Sequence, residues 1–146
     1  MKAKQINQEP GGGRTFAVVF DTGDEAASGL LAFAKEHKIA AAQVTAIGAF
    51  QDVVLGYFRM DKKEYKRNPV REQVEVVSLV GDISLDEKGE PKVHAHVVVG
   101  REDGTALGGH LLEAHVRPTL EVIVTEAPAH LRRRHDPTTG LGLIRL

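Results

Sequence analysis

Hydrophobic and polar residues alternate along most of this chain with the two-residue period of β-strands. The runs predicted as strands are residues 15–21, 42–50, 53–60, 70–81, 93–100, 105–113 and 120–125. Each run is rich in β-branched or aromatic residues and is followed by polar or turn-forming residues. Only Gln51 and Asp52 separate the second run from the third, so these two strands are predicted to form a hairpin.

One helix is predicted between the first two strands. From Asp24 to His37 the apolar residues recur at three- and four-residue steps, so one side of this helix faces a core. Thr22 and Glu25 have the spacing of a helix capping box. One main helix packed on a mostly antiparallel sheet of about seven strands is an α+β fold.

The chain is long enough for one domain. Its 146 residues fit a single hydrophobic core. Residues 1–13 are polar and end in Pro10-Gly11-Gly12-Gly13, a composition that predicts a flexible N-terminal tail. Residues 14–146 are therefore expected to form the single domain.

Charge and cysteine content exclude several kinds of function. With 19 basic and 20 acidic side chains, the whole molecule does not attract nucleic acid or an anionic membrane. The absence of cysteine excludes disulfides and thiolate ligands and leaves histidine and carboxylate for metals. No apolar run approaches the roughly 18 residues that cross a bilayer, so no membrane contact and a cytoplasmic location are expected.

Three of the seven histidines lie within one predicted hairpin. His94 and His96 are two residues apart in a strand, so both imidazoles point to the same face, roughly 6 to 7 Å apart at the backbone. The residues Glu102-Asp103-Gly104 suit a three-residue loop whose last residue adopts the left-handed conformation that glycine tolerates. Arg101 is then expected to pair with Thr105.

The position of the third histidine depends on that loop. Counting back from it along both strands sets His96 opposite His110, with Cβ atoms about 5 Å apart. All three imidazoles then share one face. A loop of two or four residues would send His110 to the opposite face, because a one-residue slip inverts sidedness.

Three neutral imidazoles at this separation suit Zn²⁺, which binds nitrogen at about 2.0 to 2.1 Å and leaves a fourth position open for water. Glu121, on the next predicted strand, is the candidate for a supporting or acid–base role. The alternative is a polar strand face, on which the histidines bond to backbone or to one another without metal.

Several segments, taken together, resemble the plants-and-prokaryotes-conserved (PPC) domain family, also called the domain of unknown function 296. The matching segments are Thr45–Leu55, Val74–Ile83, His94-Ala95-His96, Asp103-Gly104, Gly108-Gly109-His110 and Glu121-Val122-Ile123. Each motif is weak alone, but their ordered set is specific. The chain resembles a stand-alone prokaryotic member, because it has no Arg-Gly-Arg-Pro hook of the plant proteins.

The resemblance implies a homotrimer of α+β subunits with sheets packed at the interfaces. It also implies a zinc site, whose matching positions are His94, His96 and His110. The fold is similar to that of acetolactate decarboxylase, a zinc enzyme with three histidines, which by analogy alone suggests a zinc-dependent activity. The leading hypothesis is therefore a trimeric zinc-binding protein with a small-molecule ligand or an unidentified reaction at the metal.

The alternative hypothesis is a DNA-binding or regulatory protein, as is often predicted for prokaryotic members of the family. The densest basic run contains Arg132, Arg133 and Arg134, which are the candidate contacts to DNA phosphates. In a trimer this run would occur three times and form a larger patch. A solvated surface turn is the plainer interpretation of the same residues.

Overall fold

The computed structural model describes residues 1–127 and 131–145. These residues form one helix and nine strands: α1 (Ala26–Glu36), β1 (Lys2–Gln8), β2 (Arg14–Asp21), β3 (Ala41–Arg59), β4 (Glu64–Val70), β5 (Val74–Leu85), β6 (Pro91–Gly100), β7 (Ala106–Glu126), β8 (Arg132–His135) and β9 (Gly142–Arg145). Leu146, where the predicted domain ends, lies outside the described residues. The helix, with 11 residues, is too short to cross a membrane.

The described strands form one sheet that is mixed but mostly antiparallel. The order is β1-β2-β7-β3-β5-β8-β9, while β4 pairs with β3 and β6 pairs with both β5 and β7. The parallel pairing joins β5 to β8. Because β3 also pairs with both β5 and β7, the strands β3, β5, β6 and β7 close on themselves and curl the sheet. A mostly antiparallel sheet with one helix was predicted and is confirmed, but the described residues contain nine strands instead of about seven.

The predicted hairpin around Gln51 and Asp52 is wrong. One strand, β3, runs through both residues and pairs with β7 on either side of them. Irregularities in the pairing beside Phe50 and Asp52 absorb the polar pair without turning the chain. In the same way, β7 joins two of the predicted strands into one strand of 21 residues.

The N-terminal segment is more ordered than the sequence predicts. Lys2–Gln8, expected in a flexible tail, forms β1 and pairs antiparallel with β2. Its seven residues are all exposed, so backbone hydrogen bonds and not burial hold this strand in place. A polar composition indicates that a segment has little apolar surface to bury, and it does not exclude a strand that is held by backbone pairing. This explains why the composition of residues 1–13 did not predict β1. The charged segment after β3 likewise contains β4, and β8 pairs with β9 near the C-terminus.

The helix α1 covers one face of the sheet. Its cap is Glu25, whose carboxylate accepts hydrogen bonds from the backbone N–H groups of Ala27 and Ser28. The predicted capping box assigned that position to Thr22. Leu30 and Phe33 are fully buried where α1 packs on β6 and β7.

The opposite face of the sheet carries exposed apolar side chains among polar ones. These apolar side chains are Val19, Ile47, Val80 and Ile123, which are between 38% and 61% exposed. They are neighbours across strands, because Thr45 pairs with both Val80 and Ile123, and Glu121 pairs with both Val19 and Ile47. We call these four residues the apolar face.

Candidate metal centre

The hairpin of β6 and β7 brings the three histidines together in the predicted register. In its loop, the N–H of Arg101 donates to the carbonyl of Thr105 at 2.9 Å, and Gly104 has a φ of 80°. His96 pairs directly with His110. The predicted three-residue loop and pairing are therefore confirmed.

His110 lies where β7 passes between two neighbouring strands. It pairs with His96 of β6 on one side and with Gly56 of β3 on the other. A Cβ atom on the preceding Gly109 would lie only 2.8 Å from the carbonyl oxygen of Gly56. Glycine is needed there because β3 and β7 approach closely beside the histidine.

The three imidazoles are close enough to share one cation. One ring nitrogen from each of His94, His96 and His110 lies within 4.8 Å of the other two. The Nε2 atoms of His94 and His96 are 3.3 Å apart. A tetrahedral zinc site with Zn–N bonds of about 2.0 to 2.1 Å has nitrogens about 3.3 Å apart, so this pair already has the required separation. Within the described part of the chain, no carboxylate joins the group.

The environment keeps two of these imidazoles, those of His96 and His110, neutral. Burial, and then the charges of His94, His96 and Arg133, lower the pKa of His110 to about 4. Burial and the neighbouring His94 also lower the pKa of His96. A neutral imidazole retains the lone pair that a metal requires. Nδ1 of His110 is buried and has no hydrogen-bond partner among the described residues, a costly arrangement that often marks a site completed by an ion or ligand.

Asp82 and Arg133 both lie close to Nδ1 of His94. Asp82 pairs with His94 across β5 and β6, and its Oδ2 lies 3.7 Å from Nδ1 of that histidine. Nη2 of Arg133 donates to both carboxylate oxygens of Asp82 at 2.8 Å. Burial acts to raise the pKa of Asp82, but hydrogen bonds from His94 and Arg133 outweigh it and lower the pKa to about 2. Asp82 is therefore a carboxylate at neutral pH.

The position of one proton decides whether Nε2 of His94 can bind a metal. Nη2 of Arg133 also lies 3.2 Å from Nδ1 of His94. Because a guanidinium group only donates, this contact places the imidazole proton on Nε2. Metal binding through Nε2 needs the other tautomer, with the proton on Nδ1 facing the carboxylate of Asp82. Asp82 thus favours the tautomer that can bind a metal.

A pocket of about 410 Å³ opens beside His94 and His110. The ring of Tyr65 stacks on His110, with ring centroids 4.7 Å apart. Gly56 makes this contact possible, because a Cβ atom there would lie 2.9 Å from Cδ1 of Tyr65. The turn between β5 and β6 and the hairpin of β8 and β9 supply the other walls.

Glu121, predicted to support the metal, does not reach the histidines within one chain. His96 pairs with Val80, and the same row of the sheet continues through Thr45 to Ile123. Three strand spacings of roughly 4.8 Å each therefore separate Ile123 from His96 along the curled sheet. Glu121 lies two residues beyond Ile123 on the exposed apolar side of the sheet.

The three arginines predicted to contact DNA have different surroundings. The side chain of Arg133 is only 11% exposed and is paired with Asp82, beside the three histidines. Arg132 and Arg134 are exposed. Alternation along β8 directs both side chains away from Arg133 at the backbone, and Arg134 still borders the pocket beside His94 and His110.

Sequence reasoning missed Asp82, Arg133 and Tyr65 as parts of this site. Asp82 could have been found by counting back from the turn between β5 and β6, because the pairing of Leu85 with Pro91 sets Asp82 opposite His94. No such local signal was available for Arg133 or Tyr65. Both come from strands that the sequence did not predict.

The sequence and the fold both match the same family of known proteins. The sequence model of the Plants and Prokaryotes Conserved domain matches residues 7–128. No curated protein matches the chain.

Several solved structures match over nearly their whole length. A putative DNA-binding protein from Bacteroides thetaiotaomicron is 30% identical, with 99% of this chain and 96% of that chain covered and a TM-score of 0.89. A plant- and prokaryote-conserved protein from Pyrococcus horikoshii is 36% identical, with 91% and 92% covered and a TM-score of 0.85. A metal-containing protein from Archaeoglobus fulgidus is 35% identical, with 98% and 99% covered and a TM-score of 0.82.

The predicted likeness to acetolactate decarboxylase holds for the fold alone. The enzyme from Bacillus subtilis is 13% identical, with 87% of this chain and 58% of that chain covered and a TM-score of 0.58. A shared fold at this identity does not transfer a reaction.

Proposed function

The chain belongs to the Plants and Prokaryotes Conserved domain family, and from this we propose that it is a homotrimeric metal-binding protein whose three histidines hold one zinc ion. The observation that carries the proposal is the 3.3 Å separation of Nε2 in His94 and His96, with His110 beside them. The metal-containing relative from Archaeoglobus fulgidus supports it. The proposal takes residues 14–146 as one functional domain.

Zinc is the metal that this set of donors favours. Imidazole suits zinc, copper, iron and nickel, and the chain has no cysteine to select softer metals. Three histidines with an open fourth position resemble the donor set of catalytic zinc sites more than that of closed structural sites. Zinc bound there would supply a polarising cation and a water of lowered pKa. The open position would serve a small ligand or a reaction.

The chain's own residues prepare the histidines for this role. When Nε2 of His94 binds the metal, its Nδ1 proton faces the carboxylate of Asp82, whose Oδ2 lies 3.7 Å away. Arg133 fixes that carboxylate in place. The ring of Tyr65 covers one side of His110 and shields it from water. Burial raises the pKa of Tyr65 against the opposing charge of Arg133, so the hydroxyl is protonated at neutral pH.

The trimer is supported by the apolar face. Exposed apolar patches of this kind mark interaction surfaces, because leaving them in water is unfavourable. His96 pairs with Val80 of this face, so the metal centre borders the proposed interface. Glu121 lies among the same residues, and we propose that any supporting role of its carboxylate belongs to the assembled trimer.

DNA binding is the second candidate function. It is favoured by the exposure of Arg132 and Arg134 on one side of β8, and by the relative from Bacteroides thetaiotaomicron, whose description is a putative DNA-binding protein. Because Arg133 is paired with Asp82, the exposed basic patch contains two of the three arginines that were predicted to contact DNA.

Metal content by mass spectrometry tests the leading proposal. We expect close to one zinc per chain in the purified protein, and loss of that zinc in the double variant His96→Ala/His110→Ala. The matched control is His115→Ala, which removes an exposed histidine outside the group and should leave the zinc in place. Absence of metal from the unsubstituted protein, even after incubation with zinc, would overturn the proposal.

A further inference from the structure

The pocket beside the histidines has mostly apolar walls. Val93, Leu141 and Leu143 are half-buried along it, and the Tyr65 ring, which stacks on His110, also lines it. Its volume of about 410 Å³ is within the range of pockets that hold small organic molecules. Walls of this kind select a ligand with an apolar body.

One end of the pocket is the metal centre. His94 and His110 both line it, so a ligand in the pocket would reach the open position of a cation that the histidines hold. All three candidate protein ligands are imidazoles, which bind a metal in their uncharged form, and no carboxylate of the described residues joins them. A divalent cation there would retain its full charge, which favours an anionic oxygen donor as the remaining ligand.

The rim of the pocket carries a surplus of positive charge. Lys92 pairs with Asp86 at 3.4 Å, and Glu87 accepts a hydrogen bond from the backbone N–H of His135. Lys88 and Arg134 also line the pocket, and neither forms an ion pair within the described ranges. This surplus favours an anion over a cation, and it would raise the local concentration of small anions.

From these features we propose that the pocket binds a small organic carboxylate, with its carboxylate toward the histidines and its apolar body against Leu141 and Leu143. The inference rests on the proposed function, because the carboxylate binds through the metal. A phosphate group is a poorer fit, since it is usually held by several converging donors. Here Arg133, the most deeply placed cation of the pocket, is already engaged by Asp82.

The test uses the full chain loaded with cobalt(II), whose visible absorption reports ligands on the metal, and with zinc for calorimetry. The probe is 3-methylbutanoate. Acetate is the control that lacks the apolar body, and 3-methylbutan-1-ol is the control that lacks the charge. We expect 3-methylbutanoate to bind about tenfold or more tightly than acetate, because its three extra carbons are buried. The alcohol should not shift the spectrum at the same concentration.

Two variants locate the binding. Leu143→Ser should remove most of the preference for 3-methylbutanoate over acetate while the bound metal is retained. The matched control is Ile144→Ser on the same strand, because strand alternation points Ile144 away from the pocket, and it should keep that preference. Arg134→Gln should lower the affinity for 3-methylbutanoate and for acetate by a similar factor. This factor should shrink in high salt, because salt screens the charge of the arginine.

The outcomes separate this inference from the proposed function. If mass spectrometry finds no metal on the protein, the proposed function fails and the inference fails with it. If metal is bound but 3-methylbutanoate binds no better than acetate, or binds equally to the Leu143→Ser variant, only the inference is overturned. A preference that disappears in Leu143→Ser and persists in Ile144→Ser establishes it.

Discussion

Nη2 of Arg133 lies 2.8 Å from both carboxylate oxygens of Asp82. Asp82 in turn lies opposite His94, so this ion pair connects the hairpin of β8 and β9 to the candidate metal centre. Nε of Arg133 also donates to Oγ of Ser84 at 2.7 Å, which fixes the guanidinium plane. The orientation of His94 therefore depends on a strand that lies about 40 residues further along the chain.

Asp82→Asn and Arg133→Gln should each weaken metal binding by about 10- to 100-fold. Asparagine cannot supply the negative charge that favours the Nδ1 proton of His94, and glutamine cannot hold the carboxylate with two charged hydrogen bonds. Zinc affinity measured against a competing chelator at neutral pH checks this. Arg132→Gln is the matched control, because this arginine is exposed on the same strand. Unchanged affinity in both variants would exclude a positioning role for the pair.

Gly56→Ala should destabilise the protein by about 1 to 3 kcal/mol. The added Cβ would lie 2.9 Å from Cδ1 of Tyr65 and 3.1 Å from Cδ1 of Leu112, so the tyrosine ring must leave His110 or the strand must shift. Urea unfolding followed by circular dichroism gives the change in free energy.

Gly108→Ala is the matched control for that substitution. Its Cβ would meet the carbonyl oxygen of Val97 at 3.4 Å, an ordinary contact, and its stability should change much less. Equal destabilisation by the two alanines would show that the packing of Tyr65 is not the cause.

The site was easier to predict than the strands around it. The separation of His94 and His96 and the loop ending in Gly104 are local features, and they determine the pairing with His110 through the register alone. The same geometry predicted a zinc ion, and the family resemblance agreed with it. Asp82 was within reach of the same register argument, whereas Arg133 enters through one parallel contact between β5 and β8 that no local pattern reveals.

The errors in the fold have a common physical cause. Polar residues such as Gln51 and Asp52 predict a turn only if the strand ends there, but β3 continues because β7 pairs with it on both sides. Pairing with a distant strand is a tertiary effect that overrides local preference. The same reason applies to β1, whose exposed residues are held by β2.

DNA binding, if the chain has it, should depend on Arg132 and Arg134 and not on Arg133. The two exposed guanidinium groups can reach phosphates, whereas the third is bound to Asp82. Fluorescence anisotropy with a short duplex should show weaker binding in the double variant Arg132→Gln/Arg134→Gln. Its dependence on log salt should become shallower by about 0.9 per lost phosphate contact. An equal loss in Arg133→Gln would contradict this assignment.

His115 should titrate above the usual range of histidine. Its Nδ1 lies 2.8 Å from Oδ1 of Asp52, and this hydrogen bond and charge raise the pKa of His115. A raised folded-state pKa stabilises the protein below the ordinary value of about 6.5, and that contribution is lost as pH rises through the folded pKa. NMR titration of the imidazole should show the raised pKa, and Asp52→Asn should return it toward the ordinary value. Because the side chains of His115 and Asp52 are 50% and 36% exposed, the effect should shrink in high salt.

Ile47→Lys should convert the proposed trimer into monomers. Ile47 is 61% exposed on the apolar face, so lysine there is tolerated by the single chain but would place a charge in a packed interface. Sedimentation equilibrium measures the change. Met60→Lys, at a side chain 57% exposed in the turn after β3, is the control that should leave the trimer intact. If the unsubstituted protein sediments as a monomer, the proposal that it forms a trimer is wrong.

The same Ile47→Lys variant tests whether the metal centre is complete within one chain. All three histidines come from the β6–β7 hairpin of a single subunit, and His96 borders the apolar face through Val80. If one chain suffices, the monomeric variant should retain its zinc with affinity within a few-fold of the trimer. A loss of zinc together with the trimer would mean that a neighbouring subunit completes the site, in which case Glu121 is the first carboxylate on that face to replace with glutamine.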